Sequence, residues 1–248
     1  MSKDFELMQQ LEKEKSFRPG FADAPAFSRR DPSAVTQASM RAVSEEAFKL
    51  AQQIFLLQGQ VPPKVVIFAG VDHGSGCSQM SASVAEILAK HSRRPVCLVE
   101  ANFRSPALPE LFGTTNHHGL TDAILHTGPI KSFAKLISGD NLWLLSAGAL
   151  AEDSPNLLTS EFLRERMAEL RENFDFILID APPLTRYSDA IVLGQQSDGL
   201  ILILEAGATR REAALVATSS LRSANIPILA AVLNKRTFPI PQLIYNKL

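Results

Sequence analysis

Residues 65–78 read Val65-Val-Ile-Phe-Ala-Gly70-Val-Asp-His-Gly74-Ser75-Gly76-Cys77-Ser78. Five apolar residues, most of them β-branched or aromatic, form a run too short for a helix and apolar on both alternating sides. Such a run is a strand covered on both faces. It passes directly into a glycine-rich turn, and a helical pattern then covers 78–91. A strand, a glycine-rich turn and a helix in immediate succession aim backbone N–H groups and a helix N-terminus at one point, where an anion is favoured.

The same grammar repeats downstream. Further short apolar runs are Val96-Cys-Leu-Val, Leu142-Trp-Leu-Leu, Phe176-Ile-Leu-Ile, Leu200-Ile-Leu-Ile-Leu and Ile228-Leu-Ala-Ala-Val-Leu, with helical patterns over 160–172 and 209–223. Six runs alternating with helices predict an α/β fold, a doubly wound and mostly parallel sheet with helices on both faces, joined by right-handed crossovers. Ligands of such sheets sit beyond the carboxyl ends of the strands. The loops after the first, second and fourth runs are therefore the ones to inspect.

Ahead of the first strand the chain changes character. Charge, Pro19, Pro25, Pro32 and small residues dominate, so residues 1–43 read as a partly disordered arm and residues 44–248 as one domain. At the boundary, Ala47, Leu50, Ala51, Ile54 and Leu57 share a helical face, with Ser44 as the expected N-cap, and this helix should dock on the body.

Composition excludes several classes. The chain has 248 residues, 46% of them hydrophobic, and 25 Lys+Arg against 26 Asp+Glu, enough for a full core and without the basic field that holds nucleic acid or anionic lipid. No apolar run reaches the length of a membrane span, and the first ten residues lack the apolar centre of a secretion signal, so a cytoplasmic protein is expected. Two cysteines, Cys77 and Cys97, make neither a disulfide framework nor a zinc cluster with the five histidines.

The chemistry lies in three loops. The pattern that cradles phosphate is GxxxxGK[ST], whose lysine reaches the β- and γ-phosphates and whose hydroxyl holds Mg²⁺. Gly76 and Ser78 fit it and Gly74 adds to the glycine-rich turn, but Cys77 occupies the lysine position and Val71 the first glycine. Alone, this loop could equally be a tight strand-to-helix turn. Acids at two other strand ends add weight: the second run leads into Glu100-Ala-Asn102-Phe-Arg-Ser-Pro, and the fourth ends in Asp180-Ala-Pro-Pro. Asp180 stands where a carboxylate would order a magnesium-bound water across from Ser78, its plainer reading being a turn acid before the prolines.

From about residue 44 onward the chain resembles the CpsD/CapB-type bacterial tyrosine kinases, a branch of the MinD/ParA-like P-loop ATPases that serves capsule and exopolysaccharide synthesis. The features that carry the resemblance occur in order: the helix bearing Glu46, the loop from Gly74 to Ser78, Val99-Glu-Ala-Asn-Phe-Arg-Ser-Pro, Phe112-Gly113, Gly119-Leu-Thr-Asp-Ala-Ile-Leu, Leu145-Ser-Ala-Gly, Ser154-Pro-Asn-Leu-Leu-Thr-Ser, Phe174-Asp-Phe-Ile-Leu-Ile-Asp-Ala-Pro-Pro, Ser188-Asp-Ala and Val232-Leu-Asn. The resemblance implies ATP or ADP and Mg²⁺ as cofactors. It places nucleotide on Gly74, Ser75, Gly76, Cys77, Ser78, Gln79 and Asn234, the last near the adenine, Mg²⁺ on Ser78 and Asp180, and catalysis on Asp180, Glu100 and the position of Cys77. It also implies a membrane polysaccharide co-polymerase or chain-length regulator as partner, a location at the cytoplasmic side of the inner membrane through that partner, and homo-oligomers, with no nucleic acid.

Departures from the family pattern fall on the charges. Cys77 cannot stabilise a transferring phosphoryl group as a lysine does. The family's Asp-x-Asp becomes Glu100 and Asn102, keeping one carboxylate on a longer stem and losing the other. The family's C-terminal tyrosine cluster is reduced to Tyr245, and its Glu-x-x-Arg-x-x-Arg assembly helix to Glu46, Lys49 and Gln52, which puts ring formation in doubt. A thiol at a helix N-terminus can instead be acidified and redox-reactive, so Cys77 is either an activated thiol or a tolerated small residue. Cys97 reads as core, Tyr187 as packing, His117 and His118 as a solvated turn, and Arg93-Arg94 and Arg210-Arg211 as solvated helix ends. The expected function is that of a degenerate, kinase-like regulatory protein. The alternatives are an active autokinase whose lysine comes from elsewhere, such as Lys64 or a partner chain, and a positioning ATPase of the MinD/ParA kind.

Overall fold

The computed structural model describes residues 32–57, 59, 61–139, 141–149 and 157–236. The chain divides into two units, Met1–Gln37 and Ala38–Leu248, and the sheet lies in the second. Most of the expected arm, Ser154 in its motif, and Tyr245 lie outside the described residues.

Helix α1 (Pro32–Phe55) is followed by β1 (Val65–Gly70), α2 (Cys77–Ser92), β2 (Val96–Glu100), α3 (Leu108–Leu111), α4 (Leu120–Leu125), α5 (Ile130–Phe133), β3 (Lys135–Ser138) and β4 (Leu142–Leu145). Then come α6 (Glu161–Asn173), β5 (Phe176–Ala181), α7 (Asp189–Gly194), β6 (Gly199–Glu205), α8 (Arg211–Ser223) and β7 (Ile228–Asn234). The seven strands are ordered β3-β4-β2-β5-β1-β6-β7. All six expected strands are present and pair in parallel. The seventh, β3, pairs antiparallel with β4 at the edge and is mostly exposed, so its side chains never needed the apolar pattern that marks the others.

Two cores flank the sheet, as period-2 alternation requires of strands covered on both faces. Val65, Ile67 and Ala69 of β1 join the core built with α4, α6, α7 and α8, which includes Leu120, Leu170, Leu193 and Leu221. Val66 and Phe68 join the opposite core with α1 and α2, including Ala47, Phe55, Met80 and Leu88. Helix α1 thus docks on the sheet as expected. It starts at Pro32, so Ser44 lies inside it and is not its N-cap. Leu57 falls beyond its end and is exposed, while Phe55 takes the buried place in edge contact with the Phe176 ring.

Chain direction reverses around β1. From β1 the chain crosses beneath α2 to β2, passing β5, whereas from β5 it returns past β1 to β6. The crevice at the carboxyl ends of β1 and β5 is therefore the switch point at which doubly wound sheets bind ligands.

The opposite rim is fastened by Asp198. Its Oδ2 accepts from the backbone N–H groups of Lys64 at 2.7 Å and Val65 at 2.8 Å, and its Oδ1 lies 3.0 Å from Arg171 Nη2. Replacing Asp198 with alanine leaves two N–H groups at the start of β1 without partners, which should cost about 1–3 kcal/mol. Urea unfolding of Asp198→Ala against the parent measures this, and a difference below about 0.5 kcal/mol would mean that solvent replaces both bonds.

Candidate functional site

The turn between β1 and α2 owes its shape to two glycines. Gly74 (φ 83°) and Gly76 (φ 82°) are left-handed, a conformation that favours glycine. A Cβ on Gly76 would also collide with the side-chain amide of Asn234. Asn234, buried at the end of β7, donates from Nδ2 to the Ser75 carbonyl at 2.9 Å. The residue expected near an adenine thus fixes the loop from behind, and one side of its amide is already engaged.

Over this turn opens a cleft of 740 Å³ lined by Gly74, Ser75, Gly76, Cys77, Ser78 and Gln79, with Asn102, Ala181 and Pro183 from the other two loops. All three loops selected from the sequence therefore meet at one place. The first-turn N–H groups of α2 face it, as the N-terminal donors of a helix lack intrahelical partners. Asp72 and Glu110 also line the cleft, and the cation on its wall is Lys235. Lys235 donates from Nζ to the Gly74 carbonyl at 2.6 Å and lies 3.3 Å from Glu205 Oε1. Sequence reasoning missed Lys235 and Glu205. The available signal was the position of Lys235 directly after Asn234 at a strand's carboxyl end.

Lys64 cannot take that role. It precedes β1, at the opposite end of a six-residue strand from the loop, a separation of about 20 Å.

Beneath the loop lie two buried carboxylates. Asp180 sits opposite Glu100 across the β2–β5 pair and opposite Phe68 across β1–β5, and paired residues of neighbouring strands share a face. Glu100 differs from expectation: its Oε1 accepts from Asn102 N–H at 3.2 Å, and its Oε2 from Ala107 N–H at 2.8 Å and Leu108 N–H at 2.9 Å. The longer stem turns the carboxylate into the β2–α3 loop, where it satisfies backbone donors that burial would otherwise orphan. Glu100 thus organises the β2–α3 loop and is not among the residues that line the cleft. Asn102 lines the cleft, with its amide donating to Ser105 O at 3.1 Å.

Asp180 is the opposite case. It is 1% exposed, and neither carboxylate oxygen has a hydrogen bond of good geometry. Ser78 and Cys77 are near enough to favour its charged form, yet burial prevails and holds its pKa up at about 6. Burial, and then repulsion from Asp180, push Glu100 to about 8 despite its three N–H donors. The Cys77 thiol lies in this acidic corner. Burial first, then the charge of Asp180, push its pKa well above the ordinary thiol value. Burial and the anionic surroundings thus disfavour the thiolate, against the pull of the helix N-terminus. Cys97 is core, as read.

An unpartnered buried carboxylate beside a serine hydroxyl fits a divalent cation. No group of three His, Cys, Asp or Glu side chains among the described residues could hold a metal, so an ion on Asp180 and Ser78 would complete its shell with water or phosphate oxygens. The loop geometry fits a phosphate; the charge at residue 77 does not.

The remaining expectations resolve simply. Tyr187 packs under the Arg104 guanidinium, 4.1 Å from ring centroid to Cζ, while Arg104 also pairs with buried Asp189. His117 and His118 are exposed. Arg94 is more engaged than expected, bonding Asp175 at 2.7 Å and lying over Phe176. Glu46 and Lys49 of α1 pair with each other at 3.7 Å.

A nearly all-parallel sheet, a glycine-rich loop feeding a helix and a carboxylate on the adjacent strand define a P-loop NTPase fold of the ParA/MinD type. Comparison with known proteins carries this further. The tyrosine-protein kinase YwqD of Bacillus subtilis is 28% identical over 171 residues, 69% of this chain and 72% of its own. The putative tyrosine-protein kinase CapB of Staphylococcus aureus is 25% identical over 193 residues, 78% of this chain and 84% of its own. The VpsO kinase domain superposes with a TM-score of 0.76 at 24% identity, covering 82% of this chain and 99% of that domain. No protein-family model matches. The chain is a relative of the bacterial tyrosine-protein kinases and has their fold.

The carboxylate values set a pH dependence. An acid whose folded pKa lies above its unfolded value holds its proton more tightly when folded. Its contribution to stability is complete below the ordinary carboxylate range and is lost as pH rises through the folded value. For Asp180 and Glu100 the loss runs from about pH 4 to about pH 8. Asp180→Asn should therefore be more stable than the parent at pH 8, with the gap narrowing towards pH 4. Urea unfolding across that range checks this, and a gap independent of pH would show that Asp180 does not titrate as stated.

Proposed function

We propose that this chain is a degenerate bacterial tyrosine-kinase-like protein that acts as a cytoplasmic regulatory partner in exopolysaccharide or capsule synthesis, with weak or no ATP turnover. The reading rests chiefly on Cys77. It stands at the position of the phosphate-binding lysine and packs, uncharged, against Asp180. Phosphoryl transfer needs cationic charge where the equatorial oxygens develop theirs, and removing one such group typically costs about 10²–10³ in rate. Glu100 is a carboxylate held by three backbone N–H groups and supplies no positive charge in its place. Among the described residues no helix is long and apolar enough to cross a membrane, so attachment would run through a partner, a membrane polysaccharide co-polymerase or chain-length regulator.

One observation favours the second reading, an active autokinase. Asp180 keeps both oxygens unpartnered beside Ser78, the arrangement a magnesium ion would use. The two readings separate on incubation of the purified chain with Mg²⁺ and γ-labelled ATP. The regulatory reading predicts no label on protein tyrosine above the background of heat-inactivated chain, while deletion of the gene still alters polymer yield or length. Stoichiometric labelling would establish the autokinase instead.

A further inference from the structure

We propose that Lys235 supplies the phosphate-binding cation that residue 77 lacks, so that the loop holds the terminal phosphate of a nucleoside diphosphate from the β7 side. This rests on the P-loop reading of the cleft and adds to it a residue from a different strand.

Three observations carry it. The Lys235 ammonium stands at the loop itself, on the Gly74 carbonyl at 2.6 Å, and lines the cleft. Its stem packs against the loop beside Asn234: a Cβ built on Gly76 would meet the Asn234 amide and lie 3.8 Å from Lys235 Cε. The lysine also adopts φ 55°, a left-handed conformation uncommon outside glycine and, where it persists, a mark of functional sites. An extended backbone would carry the chain straight on from β7, whereas this turn brings the side chain back over the loop. The ammonium has three donors. Gly74 and Glu205 take two, and the side chain remains 46% exposed, so an incoming phosphate meets a cation that is near, partly hydrated and free to exchange a carbonyl for an anion. The groups around it are Glu205, which pairs with the ammonium, and Asp72 and Glu110, which line the same cleft and would repel a phosphate in its absence.

The position differs from that of a lysine at residue 77. From the β7 side an ammonium can reach a bound phosphate while Asp180 and Cys77 stay unpaired beneath the loop. Binding without turnover is the expected behaviour.

Calorimetric titration of Mg²⁺ with ADP, and separately with AMP, into the full chain tests this. ADP should bind, Lys235→Ala should weaken ADP by about 10- to 100-fold, the range of a charge-assisted bond, and Lys235→Arg should retain most of the affinity. AMP should change by less than about threefold in Lys235→Ala, because the lost partner is the second phosphate. Equal ADP affinity in the parent and Lys235→Ala, equal losses for ADP and AMP, or no ADP binding by the parent would each overturn the assignment. Equal losses would identify Lys235 as a brace on the loop only, and thermal unfolding of each variant shows whether the fold itself has failed. Label transfer to tyrosine would defeat the regulatory reading while leaving the Lys235 result intact.

Discussion

The site depends on one buried carboxylate without a cation. Asp180 ends β5 between Phe68 and Glu100, almost fully buried, with neither oxygen properly hydrogen-bonded. A buried charge is costly unless paired, so such a group either recruits a counter-ion or holds a proton. Here burial raises its pKa to about 6, still below that of Glu100, so Asp180 gives up its proton first and its charge bears on the neighbouring groups. Glu100 keeps its proton more tightly because Asp180 is near, and the thiol of Cys77 is discouraged from ionising. A lysine at residue 77 would remove the thiol and, by pairing with Asp180, favour the charged form of that carboxylate.

The fold was legible because local and global signals agree. Runs such as Leu200-Ile-Leu-Ile-Leu read as strands covered on both faces, and the helical pattern over 160–172 matches α6, which Ser160 caps by accepting from Leu163 N–H. What escaped was whatever lacked that pressure. Strand β3 is a solvated edge, and α1 begins twelve residues before Ser44, at Pro32, in a stretch where charge and small residues mask periodicity. The loops were found by their strand ends, but the direction of side chains within them was not. Glu100 and Asp180 look equivalent as strand-end acids, yet one turns into its loop and the other faces the site, a difference set by three N–H groups that only the folded loop brings together. Lys235 is further from reach. It lies 161 residues from Gly74, and no local pattern announces a side chain that returns over a loop from another strand.

Whole-chain charge gave no hint of this. A net charge of -1 describes the surface as a whole, whereas the site is governed by a few local groups: Asp72, Glu110 and the ammonium of Lys235 on the cleft wall, and Glu100 and Asp180 buried beneath the loop. Sharing a fold with tyrosine kinases does not set the charges of the cleft. Local charge decides what happens to a nucleotide there, and function is argued from the site for that reason.

The most direct measurement is the affinity of Mg-ATP for the parent chain and for Cys77→Lys by calorimetry at pH 7.5. If the missing cation at residue 77 is what limits the site, the new lysine neutralises Asp180 and tightens binding by about tenfold or more. Equal affinity in the two chains would contradict this and place the limit elsewhere in the cleft.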